Sequence, residues 1–255
     1  MYRMLRADLH RLFRSKLFYV ATIGYAFLYT ASLPFIMWFI SLFVPTELDP
    51  ADLFIKSEPG TAAIAIAVFV TAFLMKEFSE GSIRNKLSSG VKRSDIFLSS
   101  VITMAIAAIL IQASALLSVV ISGELFTAGF ISPMKDVLII NGYYAIAAVS
   151  LAVFDATLMY IFAGNGASLF VSSILAVVMK FVGMMVLEDL YPESGEVLIS
   201  GTRLQLFTFL DKYVPYMHLF GFPRYNWDAY VIGGSVLTVI SVIVGILIFE
   251  KKDLK

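Results

Sequence analysis

Six stretches of this chain are apolar for long enough to cross a bilayer, at 17–44, 59–75, 96–121, 137–162, 167–187 and 229–249. A helix needs about 20 such residues to span the hydrocarbon core. Inside that core every backbone amide must be satisfied internally, so repeated runs of this length commit the chain to helices. The predicted fold is therefore an all-α integral membrane protein, a single transmembrane domain over residues 1–255. Composition agrees: 59% of residues are hydrophobic and 15% charged, against about 25% charged in soluble domains. The first run contains Pro34, where a kink or tilt is expected. It is too long for a signal-peptide core and reads as a retained span. The second run is the shortest, at roughly 25 Å of helix.

Charge orients the bundle. With the amino terminus inside, segments 1–16, 76–95, 164–166 and 250–255 carry thirteen Lys and Arg, and segments 45–58, 122–136 and 188–228 carry five. The positive-inside bias places both termini in the cytoplasm of a multi-pass cell-membrane protein.

The connecting segments are more structured than topology alone requires. At the amino terminus Leu5, Leu9, Leu12 and Phe13 share a helical face opposite Arg3, Arg11 and Arg14, the pattern of a helix lying in the inner headgroup layer. Segment 76–95 reads as a short helix bracketed by Gly81 and Gly90, with Ser82 as N-cap and Gly90 as its left-handed end. Ile83 and Leu87 fall on one face, leaving Arg84, Asn85 and Lys86 for other contacts. The outer segment 188–228 holds an apolar stretch, 204–214, ahead of Pro215. It is expected to lie on the outer leaflet or to re-enter it. Tyr213, Tyr216, Tyr225, Trp227 and Tyr230 read as an interfacial aromatic belt.

Two charges lie within spans. Asp155 sits about 10 Å and Lys180 about 20 Å from the cytoplasmic side, too far apart in level for an upright pair. Lys180 can snorkel on its long stem. Asp155 cannot, so it is a candidate for a transport path, with Gln112 as a second polar group inside a span. Catalytic chemistry finds no footing. His10 and His218 fall on opposite sides, cysteine is absent, and neither a nucleophile elbow nor a phosphate-binding loop occurs. The chain is not expected to be an enzyme, to hold a cofactor or metal, or to bind nucleic acid.

The basic 3–16 helix, the stretch Glu77-Phe-Ser-Glu-Gly-Ser-Ile-Arg-Asn-Lys-Leu87 with Gly90-Val-Lys-Arg-Ser94 after it, and the 249–255 tail carry a resemblance. With six spans, they make the chain similar to permease subunits of ABC transporters of the ABC-2 type, particularly the small peptide-export and immunity permeases of Firmicutes. The resemblance implies a coupling helix at Glu80, Gly81, Ser82, Ile83, Arg84, Asn85, Lys86 and Leu87, docked on a separate ABC ATPase that binds ATP and Mg. Ile83 and Leu87 would fill an apolar cleft there, and the 164–166 turn would make a lesser contact. It also implies a second permease copy or a sibling permease, and export of hydrophobic or amphipathic peptides. An ion-coupled transporter or channel, and a non-transporting membrane scaffold or sensor, are the competing classes.

Overall fold

A computed structural model describes residues 1–41, 59–126, 134–192, 197, 199–219 and 224–252. All its regular elements are helices. They are α1 (Tyr2–Arg14), α2 (Lys16–Ser41), α3 (Pro59–Ser79), α4 (Ser82–Ser88), α5 (Arg93–Phe126), α6 (Met134–Ile161), α7 (Gly166–Leu190), α8 (Gly201–Tyr213), α9 (Pro215–His218) and α10 (Trp227–Lys251). Five of them, α3, α5, α6, α7 and α10, are long and apolar enough to cross a membrane. The protein is a membrane-embedded helical bundle. In α2 the described apolar stretch is Lys16–Leu28. The end of the first predicted span and the 45–58 loop lie outside the described residues.

The bundle has a dry centre and two lipid-like flanks. The apolar windows of α3, α5 and α6 are 56%, 61% and 67% buried, whereas those of α7 and α10 are 22% buried. Alanines make the centre close-packed: Ala62, Ala67, Ala107, Ala108, Ala147, Ala148, Ala152 and Ala156 are buried where helices meet. Small residues let backbones approach, which supplies the van der Waals contact that drives helix association in lipid. The outward faces of α7 and α10 instead carry Phe170, Ile174, Phe181, Val236, Ile240 and Ile243, all exposed.

The second span is longer than its apolar run. Helix α3 continues through Lys76 and Glu77 to Ser79, because Glu77 is buried against charged partners rather than turned to water. Segment 188–228 folds back into the bundle. Helices α8 and α9 form its descending arm, and Tyr216, Met217 and Leu219 pack with Tyr144, Ala147 and Leu151 in the middle turns of α6. The arm is anchored by Asp211, 1% exposed, which accepts from Tyr191 (3.0 Å), Tyr225 (2.9 Å) and Arg224 Nε (3.1 Å). The aromatic belt needs correction accordingly. Tyr216 and Tyr230 are 6% and 2% exposed, whereas Trp227, stacked on Tyr143 at 4.0 Å, keeps 43% of its exposure.

Candidate functional site at the terminus-bearing face

Four segments that the charge pattern places on one side do meet at one end of the bundle. The Met1 ammonium lies 3.7 Å from Asp95 at the start of α5. Arg93 donates to the Phe249 carbonyl at 2.9 Å and to the Lys252 carbonyl, tying α5 to the end of α10. Lys252 in turn donates to the Ile161 carbonyl that closes α6. The turn after α6 rests on α3: a β-carbon on Gly164 would overlap the Phe78 side chain. Tyr160 fills the space between, with Phe78, Phe97 and Phe249 rings edge-on at 5.2, 5.1 and 4.8 Å.

Helix α4 projects from this end between two glycines in the left-handed region, and its C-terminal cap is made by the backbone. Gly81, in the left-handed region at φ 70°, is the N-cap. The predicted cap, Ser82, is the first helical residue, and its hydroxyl accepts from Arg11 Nη1 at 2.9 Å. At the other end Gly90 (φ 81°) closes a Schellman motif: its N–H bonds the Leu87 carbonyl at 3.0 Å, and the Val91 N–H bonds Lys86 at 3.3 Å.

Beneath α4 lies an ionic cluster that the sequence reading did not anticipate. Asp8 of α1 is 2% exposed and Glu77 of α3 is 3% exposed. Asp8 accepts from Ser99 at 2.6 Å, from Lys86 at 2.7 Å and from Arg11 at 3.3 Å. Glu77 pairs with Arg11, and with Lys86 at 3.5 Å. Two carboxylates and two cations from α1, α3 and α4 thus neutralise one another, with Ser99 adding α5. Burial pushes the Lys86 ammonium below its usual 10.5, against the pull of Asp8. This pairing makes the buried charge tolerable, although Arg11 Nε and Glu77 Oε2 complete no hydrogen bond among the described residues.

The cluster revises two expectations. Arg11 turns inward to these carboxylates instead of toward lipid headgroups, because Asp8 and Leu12 share the buried face of α1. Ile83 is 1% exposed and belongs to the chain's own core. It therefore cannot fill a cleft on another protein in this arrangement, and Leu87 packs against the same core. Helix α4 presents Arg84, Asn85 and Ser88 outward. Glu80 is exposed and pairs with Lys76 at 3.6 Å.

The intramembrane candidates do not come together. Gln112 donates to Asn141 at 3.3 Å, across the α5–α6 contact. Asp155, fourteen residues beyond Asn141 on α6, is fully buried beside Ser172 of α7. Among the described residues, neither carboxyl oxygen of Asp155 completes a hydrogen bond, nor does Ser172 Oγ or Tyr216 Oη. No ion pair links Asp155 to Lys180 among those residues.

A signal for the ionic cluster did exist. Asp8 lies on the same helical stripe as Leu5 and Leu12, where a carboxylate facing lipid or core needs a cation, and Glu77 stands two residues past the end of an apolar run. No curated protein matches the chain. The family model described as a protein of unknown function, DUF2705, matches residues 59–255, which takes in α3 to α10 and so both α4 and Asp155. The chain belongs to this family.

Proposed function

We propose that this protein is the transmembrane subunit of an ATP-driven export permease of the ABC-2 kind. In this reading it lies in the cell membrane, with α2 as a sixth span and both termini cytoplasmic. The observation that carries the proposal is the construction of α4. A seven-residue helix on the surface of a bundle has little intrinsic stability. Here it is closed at its C-terminal end by a Schellman motif, nailed down by Ile83 and Lys86, and left with one polar outward face. That is the build of a stiff lever. A separate ATPase pressing on Arg84, Asn85 and Ser88 would move α3 and α5 directly, and through Asp8 and Arg11 also α1. Work reaches a membrane bundle only through contacts that differ between two states, and a floppy loop would dissipate them. Two copies of the chain, or one with a sibling permease, would enclose the path between them. ATP and Mg would bind the ATPase alone. Hydrophobic or amphipathic peptides are the substrates that suit such a bundle.

The test places charges on the outward face. Arg84→Glu with Ser88→Glu is expected to lower co-purification of the proposed partner ATPase by tenfold or more, about the scale of one well-placed charged contact. The thermal midpoint of the permease should stay within a degree or two, roughly what exposed substitutions cost. Ile83→Ser is the contrasting control. It should lower the midpoint first, because it cuts into the core. Full ATPase association and full substrate-stimulated hydrolysis with the double variant would refute the coupling role. An ion-coupled transporter is the second reading, and the unpartnered Asp155 is the observation in its favour.

A further inference from the structure

The hairpin of α8 and α9 does more than fill the bundle, since it walls a cleft. The cleft has a volume of about 540 Å³ between α7 and α10 and is lined by Phe154, Met179, Phe209, Tyr216, Val236 and Ile240, among others. This lies within the range of about 300–1,000 Å³ usual for small-molecule sites. Val236, Ile240 and Phe209 are more than half exposed on its rim, so it opens sideways through the apolar flank of the bundle and not toward water.

One wall residue reaches a different environment. The Tyr216 ring lines the cleft, while its hydroxyl is buried without a partner, within electrostatic reach of the Asp155 carboxyl. Asp155 follows Phe154, another wall residue, and Ser172 stands beside it from α7. The Tyr216 ring therefore stands between an apolar cleft open to the flank and a fully buried carboxyl, Asp155, which lies behind the cleft wall with Ser172 beside it. Burying an ionised carboxyl without a partner is costly; protonation relieves that cost, and so does a cation brought to it. Among the described residues no ion pair includes Asp155; Lys86 and Arg11 are paired with Asp8 and Glu77, and Arg224 with Asp211.

We propose that the cleft and the Asp155–Ser172–Tyr216 cluster together form a lateral binding site for a membrane-partitioned amphiphile bearing a protonated amine. Its apolar body lies along Val236, Ile240 and Phe209. Rotation of the Tyr216 side chain brings its ammonium to Asp155, with Ser172 and Tyr216 as additional acceptors. The site takes its ligand from the bilayer, as the sideways opening dictates. The site names the substrate class for the export reading and depends on that reading only for the word substrate, because binding requires no ATPase.

The test uses the full chain in phosphatidylcholine nanodiscs and a diazirine-bearing dodecylamine, with crosslinks mapped by mass spectrometry. Labels are expected within 209–216 and 232–240. Unlabelled dodecylamine should displace the probe at concentrations about tenfold below those needed of dodecanol or dodecanoate, the scale of one charge-assisted hydrogen bond. Asp155→Asn should abolish that advantage and leave displacement by dodecanol unchanged. Val236→Trp, a change on the exposed rim that leaves Asp155 intact, should remove labelling. Equal displacement by amine, alcohol and acid would overturn the proposal and leave a groove for ordinary lipid. So would a preference for the amine that survives Asp155→Asn, or labelling that survives Val236→Trp. Should Asp155→Asn fail to fold, the ranking of the three competitors on the natural sequence still decides the chemistry, and Val236→Trp decides the place. Loss of the ATPase contact in the Arg84 variant would not affect any of these outcomes, so the two proposals fail separately.

Discussion

Two clusters of buried charge divide this protein. At the terminus-bearing end Asp8 and Glu77 each meet Arg11 and Lys86, and Ser99 completes the set. Within α6, by contrast, Asp155 is just as buried and has hydroxyls beside it, those of Ser172 and Tyr216, but no ion-pair partner among the described residues. The same residue type at the same burial therefore has opposite roles. Closed pairing makes a rigid joint among α1, α3, α4 and α5. At Asp155 no such joint forms, and the proposed amphiphile site is the reading that gives its carboxyl a partner.

The strongest break of this comparison is Asp8→Ala. It strands Arg11 and Lys86 over Glu77 alone, and removing one member of a buried ionic set costs about 3–5 kcal/mol. Because Arg11 keeps about a third of its exposure, water softens the loss and the low end of that range is expected. The thermal midpoint in detergent should fall by several degrees. Asp8→Leu should fall as well, although it fits the neighbouring apolar stripe of Leu5 and Leu12. A variant as stable as the natural protein would mean that the cluster is surface decoration and that α1 is not part of the joint.

Asp155→Leu sharpens the comparison from the other side. With no partner to strand, an apolar side chain of similar volume removes a desolvation cost and loses no pair. The midpoint should rise, by an amount corresponding to about 1–2 kcal/mol. The paired and unpaired sites then answer the same substitution with opposite signs. A fall would show that Asp155 has a partner in the resting protein and that its role is structural.

How much of this was legible in the sequence depends on the range of the interaction. Helix positions follow from apolar runs, which are local, and the ends of α4 follow from two glycines whose conformations few other residues adopt. The 204–214 stretch with Pro215 marked the break between α8 and α9 for the same reason. What stayed hidden was pairing across the chain. Asp8 meets Lys86 and Ser99 from 78 and 91 positions away, and no local spacing reports that. Ile83 illustrates the cost. An apolar residue on a short exposed helix looks like a docking side chain until the helix is laid on its bundle, where the same residue fills the chain's own core. Asp155 was legible because a charge inside an apolar run is conspicuous, but its neighbours Ser172 and Tyr216 come from separate helices and required the fold.

The smallest effect concerns the end of α4 and asks whether its stiffness is local or borrowed. Gly90 has φ 81°, and a β-carbon there would meet nothing within 4 Å. Gly90→Ala therefore introduces no collision and only the left-handed strain, about 1–2 kcal/mol. If the Schellman end holds α4 in place, that strain should appear as faster amide hydrogen exchange at Ser89, Gly90 and Val91, with the global midpoint lowered by only a degree or two. Exchange at Ile83 and Lys86 should stay slow, because the core and the ionic cluster hold that half of the helix. Faster exchange along the whole helix would show instead that the glycine end, and not the buried cluster, is what makes α4 rigid. The lever would then be hinged at Gly90, and the contrast between a closed joint and an open site would lose its mechanical half.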